Sequence, residues 1–360
     1  MNKIIALSIA AALITPAVFA EVTISGSVRT AFEYVSPDQV GVKAGSKSDG
    51  TNKTQLADQS SRIRFSGKDK LDFGGDLIWV LENRFRVGDA YDKASTDVWG
   101  SRDTYIGYKG DFGFARFGKM DNAYKNIYKG IAPTLEGELN DSSGYLGTGQ
   151  VLRRLGNRDA QVIYYETPNF SGFNANASYT IGEKTAKYDA STYQIGGYWK
   201  DDIFNVGAVY SLGQDQNSDY KSSKITSVAK EGANINGLLI GGNVNYAGFG
   251  LGLTWEQVDR DDGKISRKQD SYAAAGSYKY DKLYFLLSYV KANDVDTLAD
   301  SGAEQLSLGA SYNLSKKSRV YATYTKLDNE KNANFTTESG YTLNNGQSLD
   351  LFSVGVRSDF

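Results

Sequence analysis

VTISGSVRTAFEY, residues 22–34, alternates from its first position. Val22, Ile24, Gly26, Val28, Thr30, Phe32 and Tyr34 share one face of an extended chain, and Thr23, Ser25, Ser27, Arg29 and Glu33 share the other. Side chains of a strand point alternately to opposite faces, so an apolar row backed by a polar row with charges suits a strand between lipid and water. The same period returns downstream. Tyr272, Ala274, Gly276, Tyr278 and Tyr280 oppose Ser271, Ala273, Ala275, Ser277 and Lys279, and Leu306, Leu308, Ala310, Tyr312 and Leu314 oppose Ser307, Gly309, Ser311 and Asn313.

Soluble sandwiches alternate as well, and spacing separates the two. Strand-like runs are joined in pairs by very short turns, at 109–111, 169–172, 200–202, 247–248, 281–282 and 315–316. Long polar stretches separate the pairs, at 36–59, 88–101, 214–234, 259–269, 293–303 and 328–347. Short turns on one rim and long loops on the other are the arrangement of an outer-membrane barrel. The spacing predicts strands near 22–34, 60–69, 75–87, 102–109, 111–118, 158–167, 173–182, 190–200, 202–212, 236–246, 248–258, 270–280, 282–292, 304–314, 317–327 and 348–360. The reading is all-β: a sixteen-stranded antiparallel transmembrane β-barrel, wide enough for a water-filled channel. Its last strand, ending on Phe360, must close on the first, because an open sheet edge in lipid leaves backbone groups unpaired.

Composition bounds the rest. Residues 1–20 carry Lys3, an apolar run from Ile4 to Val18 and small residues at the end, and read as a signal peptide cleaved before Glu21. The barrel then occupies 21–360. No later run is apolar enough to span as a helix, and mean hydropathy is −0.43. Tyr 25, Phe 16 and Gly 39 against Pro 4 favour strands with many turns. Cys and His are both absent, which removes disulfides, the commonest general base and the commonest metal ligand. With 40 basic against 42 acidic residues there is no basic excess to call for nucleic acid. The acid-rich run 259–263 lacks the full twelve-residue calcium loop and reads as a solvated turn. No metal, cofactor or enzymatic constellation is expected.

One stretch breaks the spacing. Residues 119–157, the third outer connection, far exceed the ~2–5 residues of a hairpin loop, and a connection of that length is functional or disordered.

RDTYIGYKGDFGFARFGKMDNAY from Arg102, RDAQVIYYETPNFSGFNANASYTIGE from Arg158, the opening strand and the terminal Phe360 together resemble the Gram-negative general porins of the neisserial type. The sharpest marker is the set Tyr165, Pro168, Phe170, Gly172 and Phe173. The resemblance covers the mature chain in order. It implies a homotrimer in outer-membrane lipid and lipopolysaccharide, passing ions and small polar solutes, whose third loop bends inward to constrict the pore.

A pore selects by rings of charge at its narrowest part. On the loop side the expected acids are Glu136 and Glu138, with Asp121 and Asp141. On the wall, Arg29, Arg62, Arg64, Arg84 and Arg86 lie in the phase opposite the apolar residues, with Glu82 placed to pair with one of them. Arginine facing mid-bilayer lipid costs ~2–4 kcal/mol, so these residues belong in the lumen or at its rim. The expected function is passive diffusion. Alternatives are a solute-specific uptake channel, or a surface adhesin or receptor barrel working through its outer loops.

Overall fold

The computed structural model describes residues 21–40, 50–87, 99–135, 139, 151–184, 189–216, 232–337 and 341–360. The strands are β1 Glu21–Pro37, β2 Lys53–Asp58, β3 Arg62–Lys70, β4 Asp76–Arg84, β5 Thr104–Gly110, β6 Gly113–Asp121, β7 Arg158–Glu166, β8 Phe173–Lys184 and β9 Asp189–Lys200. There follow β10 Phe204–Gln216, β11 Ala233–Tyr246, β12 Phe249–Asp261, β13 Ser266–Tyr280, β14 Leu283–Ala292, β15 Ala303–Asn313, β16 Ser318–Asn329 and β17 Leu349–Asp359. A helix of nine residues, α1 Ala123–Ile131, follows β6.

Every pairing is antiparallel, between chain neighbours except for β1 with β3, and the sheet closes where β1 runs beside β17 from Ser27↔Asp359 to Pro37↔Leu349. Gly26 and Phe360 complete the seam with reciprocal backbone hydrogen bonds of 3.2 and 3.1 Å. With no edge left in the hydrocarbon, the backbone polar groups of the sheet are satisfied internally.

The seventeen segments make sixteen staves, because β2 and β3 are two halves of one. β1 pairs with β2 over Thr30–Val35 and with β3 over Glu21–Ser27. Between the halves the chain bulges at 59–61, with Ser60 at φ 69°. The Asp58 carboxylate accepts the N–H groups of Ser60 and Ser61, while the Ser61 hydroxyl donates to Arg29 O (3.0 Å) and accepts from Arg29 N (2.9 Å). A side chain thus completes a rung that the backbone skips. This stave corrects the expectation of a loop through residue 59: the bulge shifts the alternation, so 53–58 does not continue the period of 62–70. At the outer ends β10, β12 and β13 also run further than expected, which reduces 259–269 to a turn at 262–265. Polar strand ends that rise above lipid keep their ladder while losing the apolar row that betrays them in sequence.

The expected apolar row of β1 is the exposed one: Val22, Ile24, Phe32 and Tyr34 stand outward, and Ser27, Arg29, Ala31, Glu33 and Val35 are buried inward. Register carries this phase around the barrel; Phe117, Leu251, Leu253, Leu287, Leu308 and Val354 are likewise exposed on the outside.

Apolar residues are also buried on the inner side. Tyr124, Ile127, Tyr128 and Ile131 of α1 and Leu152 and Leu155 pack with wall residues Val209, Leu239 and Val258. The connection between β16 and β17 adds Phe335 and Leu343 against Leu327, Leu349 and Val35. Asn329 Nδ2 ties it down by donating to Phe335 O and Gln347 O at 2.9 and 2.8 Å.

Candidate functional site

Two parts of the lumenal surface differ in charge. The first is an arc on the staves flanking the closure seam. Arg29 of β1 lies opposite Arg357 of β17, which lies opposite Arg319 of β16, so three arginines stand abreast. On the other side Ser27 of β1 faces Arg62 of β3, which faces Arg84 of β4, and Ser25 faces Arg64, which faces Glu82. Some of these charges have acid partners: Arg84 Nη2 meets Asp58 at 3.1 Å, Arg64 Nη1 meets Glu82 at 3.4 Å, and Arg357 Nε meets Asp359 at 2.8 Å. Arg102 also binds Glu82 through Nε. A row of like charges in adjacent register positions repels itself, and here Arg29 and Arg357 are buried as well.

The second part lies across the barrel. α1 contacts β8, β9, β10 and β11, and β10 is the stave eight removed from β1 in a barrel of sixteen. Asn122 caps the helix, its side chain accepting from Lys125 N at 3.1 Å. Positions 124, 127, 128 and 131 form the stripe that packs on the wall. Ala123 N donates to Ser178 Oγ (3.1 Å), Tyr124 N to Gln194 Oε1 (3.0 Å) and Thr134 N to Asn243 Oδ1 (3.3 Å). Here the wall presents Ser178 and Gln194, which serve unpaired N–H groups of the helix start, and Asn243, which holds the chain just past the helix end.

A buried ion pair fastens the far end of the same connection. Arg154 Nε meets Glu256 Oε2 at 3.0 Å, and both side chains have no exposed surface. Arg154 N and Tyr124 Oη both donate to Glu256 Oε1 at 2.8 Å, while Arg154 Nη1 and Nη2 donate to Gln269 Oε1 and Gln269 O. Burial and then the Glu256 charge hold the Tyr124 phenol well above its usual range. A desolvated pair is costly unless its remaining donors and acceptors are served, as they are here.

At the root of the connection Asp121 gathers Lys125 (3.2 Å), Lys129 (2.6 Å) and Arg158 (2.9 Å). Arg158 also binds Asp103. Burial, helped by Arg153, Lys129 and Arg158 and opposed by Asp121, pulls the Lys125 ammonium down to about 8. Arg116, whose phase is ambiguous in sequence, points inward. It pairs with Glu166 at 3.0 Å and lies 4.3 Å over the Tyr164 ring.

Residues 6–332 match the family model of the Gram-negative porins. The chain belongs to this family. Among its relatives is the major outer membrane protein P.IB of Neisseria meningitidis serogroup A, 25% identical over 345 residues, with 92% of this chain and 95% of the relative covered. The protein of the same name from Neisseria sicca is 28% identical over 352 residues, with 88% and 90% covered. Among solved structures, the anion-selective porin from Comamonas acidovorans superposes with a TM-score of 0.74 at 22% identity, covering 94% of this chain and 99% of its own. Outer-membrane expressed OmpT of Vibrio cholerae gives 0.66 at 18%, covering 94% and 97%. The porin is thus a Gram-negative outer-membrane protein, and its family and fold are those of a channel.

Of the residues expected at a constriction, Arg29, Arg62, Arg64 and Arg84 share the basic arc. Arg86 follows two residues beyond β4 and is exposed. Asp121 closes β6 inside its cluster of cations, so the connection begins at Asn122 and not at residue 119. Glu136, Glu138 and Asp141 lie outside the described residues, as do residues 1–20, expected to be a signal peptide. The sequence reading missed Arg319 and Arg357, although both occupy the inward phase of their strands; only the seam sets them beside Arg29. It also missed Glu256, whose signal was a lone acid in the inward phase of a neutral strand, LGLTWEQV. Among the described residues no group of three acids is placed to hold a metal ion.

Proposed function

We propose that the porin is a general diffusion channel for ions and small hydrophilic solutes, with its narrowest part between the 122–157 connection and the arginine arc. One observation carries this: the fastened helix and the arc occupy opposite staves, β10 and β1. Solutes passing between them meet a wall of packed polar and apolar side chains on one side and guanidinium groups on the other. Charge lining a narrow pore chooses the sign of the ion that passes. The arc therefore favours anions, the sign of ion for which the Comamonas acidovorans porin is selective. On the loop side, Glu136, Glu138 and Asp141 complete the charge pattern, with Asp121 at the root. The working form is a homotrimer in outer-membrane lipid and lipopolysaccharide, exported with removal of residues 1–20. It carries out no chemistry on its solutes.

The test is a planar bilayer holding purified protein under a potassium chloride gradient. Stable conductance steps are expected, with a reversal potential of anion-preferring sign. Absence of steps overturns the channel, a cation-preferring potential overturns the arc as its filter, and block by micromolar solute replaces general diffusion with specific uptake.

A further inference from the structure

On the lipid side a furrow of about 960 Å³ crosses β11–β17. A row of residues along it is read from register: Phe249↔Tyr278↔Phe285↔Ala310↔Ala322. The first three positions carry rings, Phe249 and Tyr278 being stacked at 4.3 Å. The row then drops to two alanines. One rung further from the short turns, Gly276 sits beside Leu287, and a Cβ added at Gly276 would meet nothing within 4 Å. Space at that position is therefore left open and not filled by a neighbour. Phe285, Leu308 and Phe352 rise around it, 44%, 45% and 45% exposed.

A second observation lies directly beneath. Below the furrow are the short turns of the periplasmic rim, Asp281–Lys282 between β13 and β14 and 314–317 between β15 and β16. These turns are joined by Asn313 N donating to Lys282 O at 2.9 Å. They present exposed Lys282, Lys316 and Lys317 against one acid, Asp281. Lys282 Nζ stands 6.0 Å from the centre of the Tyr312 ring, at the level where amphipathic rings meet head groups.

We propose that this face holds one anionic glycerophospholipid of the periplasmic leaflet, an acyl chain lying in the furrow over Gly276, Ala310 and Ala322 and the phosphate on the lysine rim. The occupant follows from the two surfaces together. An apolar furrow open to the bilayer takes a hydrocarbon chain, and a cationic rim one step below selects among head groups by charge. The site goes beyond conduction, since none of these residues faces the lumen.

Native mass spectrometry of the full-length purified protein, incubated with palmitoyl-oleoyl phosphatidylglycerol or the matching phosphatidylcholine, tests it. The parent is expected to retain phosphatidylglycerol in preference to phosphatidylcholine. Gly276→Leu fills the furrow and should lower retention of both lipids at least fivefold, with single-channel conductance unchanged. Lys282→Gln with Lys316→Gln and Lys317→Gln should reduce phosphatidylglycerol to the level of phosphatidylcholine. If Gly276→Leu fails to give a heat-stable barrel, Ala322→Val replaces it with the same expectation. Equal retention by the furrow variant and the parent overturns the proposal. So does an equal affinity of the parent for the two lipids, or a change in oligomeric mass without lipid loss, which would make the face a subunit contact.

Discussion

The two sides of the lumen use charge in opposite ways. Across from the seam, Arg154 and Glu256 are completely buried, matched one to one and served by Gln269 and Tyr124. Around the seam, Arg319, Arg357 and Arg29 stand abreast with like sign, and their acids sit to the side. A matched, dry pair has almost no field beyond its own atoms and serves to hold a segment in place. A like-signed row adds its fields, even though Arg29 and Arg357 are themselves only 2% and 8% exposed. The same residue type is thus matched to an acid on one wall and set beside its own kind on the other.

The largest effect is expected from breaking the fastener. Glu256→Ala leaves Arg154 buried without its partner, a loss of about 3–5 kcal/mol for a broken buried pair. The 122–157 connection should detach, giving fluctuating, larger conductance steps and new protease cleavage there. Glu256→Leu combined with Arg154→Leu should recover most of the loss, because no buried charge is then left alone. Quiet parental steps in Glu256→Ala would mean that the pair does not hold the connection.

Next in size is the filter. Replacing Arg29, Arg319 and Arg357 together by Ser should move the reversal potential toward cations. One charge about 4 Å from an ion in water is worth about 1 kcal/mol, or roughly fivefold in relative permeability, before salt screening. An unmoved potential would place these arginines away from the ion path.

A smaller shift of the same sign is expected for Arg64→Ala with Arg84→Ala, because these arginines already lean on Glu82 and Asp58. Their loss takes from Asp58 its Arg84 partner, while Glu82 keeps Arg102, and a potential that stays put would show that the arc filters only at the seam.

The smallest effect concerns pH. Lys125 is held down to about 8 chiefly by burial, so it is charged below pH 8 and neutral above it. Raising pH from 7 to 9 therefore removes one positive charge beside the passage and should shift the potential slightly toward cations. Lys125→Gln should flatten that step; a step that survives belongs to another group.

Much of the fold was legible because a barrel writes its period into each strand. The sixteen expected strands coincide in order with sixteen staves, and errors gather where the period is interrupted or no longer required. Lys53–Asp58 was hidden by the bulge at Ser60, and the outer ends of β12 and β13 by the lack of any lipid to demand an apolar row. The basic wall was half legible: Arg29, Arg62, Arg64 and Arg84 follow from phase within their own strands. Arg319 and Arg357 belong with them through register at the seam, which joins the two ends of the chain.

The sequence by itself determined the class of the molecule, the number of its staves and the face on which most strand residues lie, because pleat and lipid enforce a period of two locally. Tertiary structure alone decided which charges meet: Arg154 with Glu256 and Gln269, Arg29 with Arg357 and Arg319, and α1 against β10. Those encounters depend on closure and on register between strands far apart in the chain, and no local period encodes either.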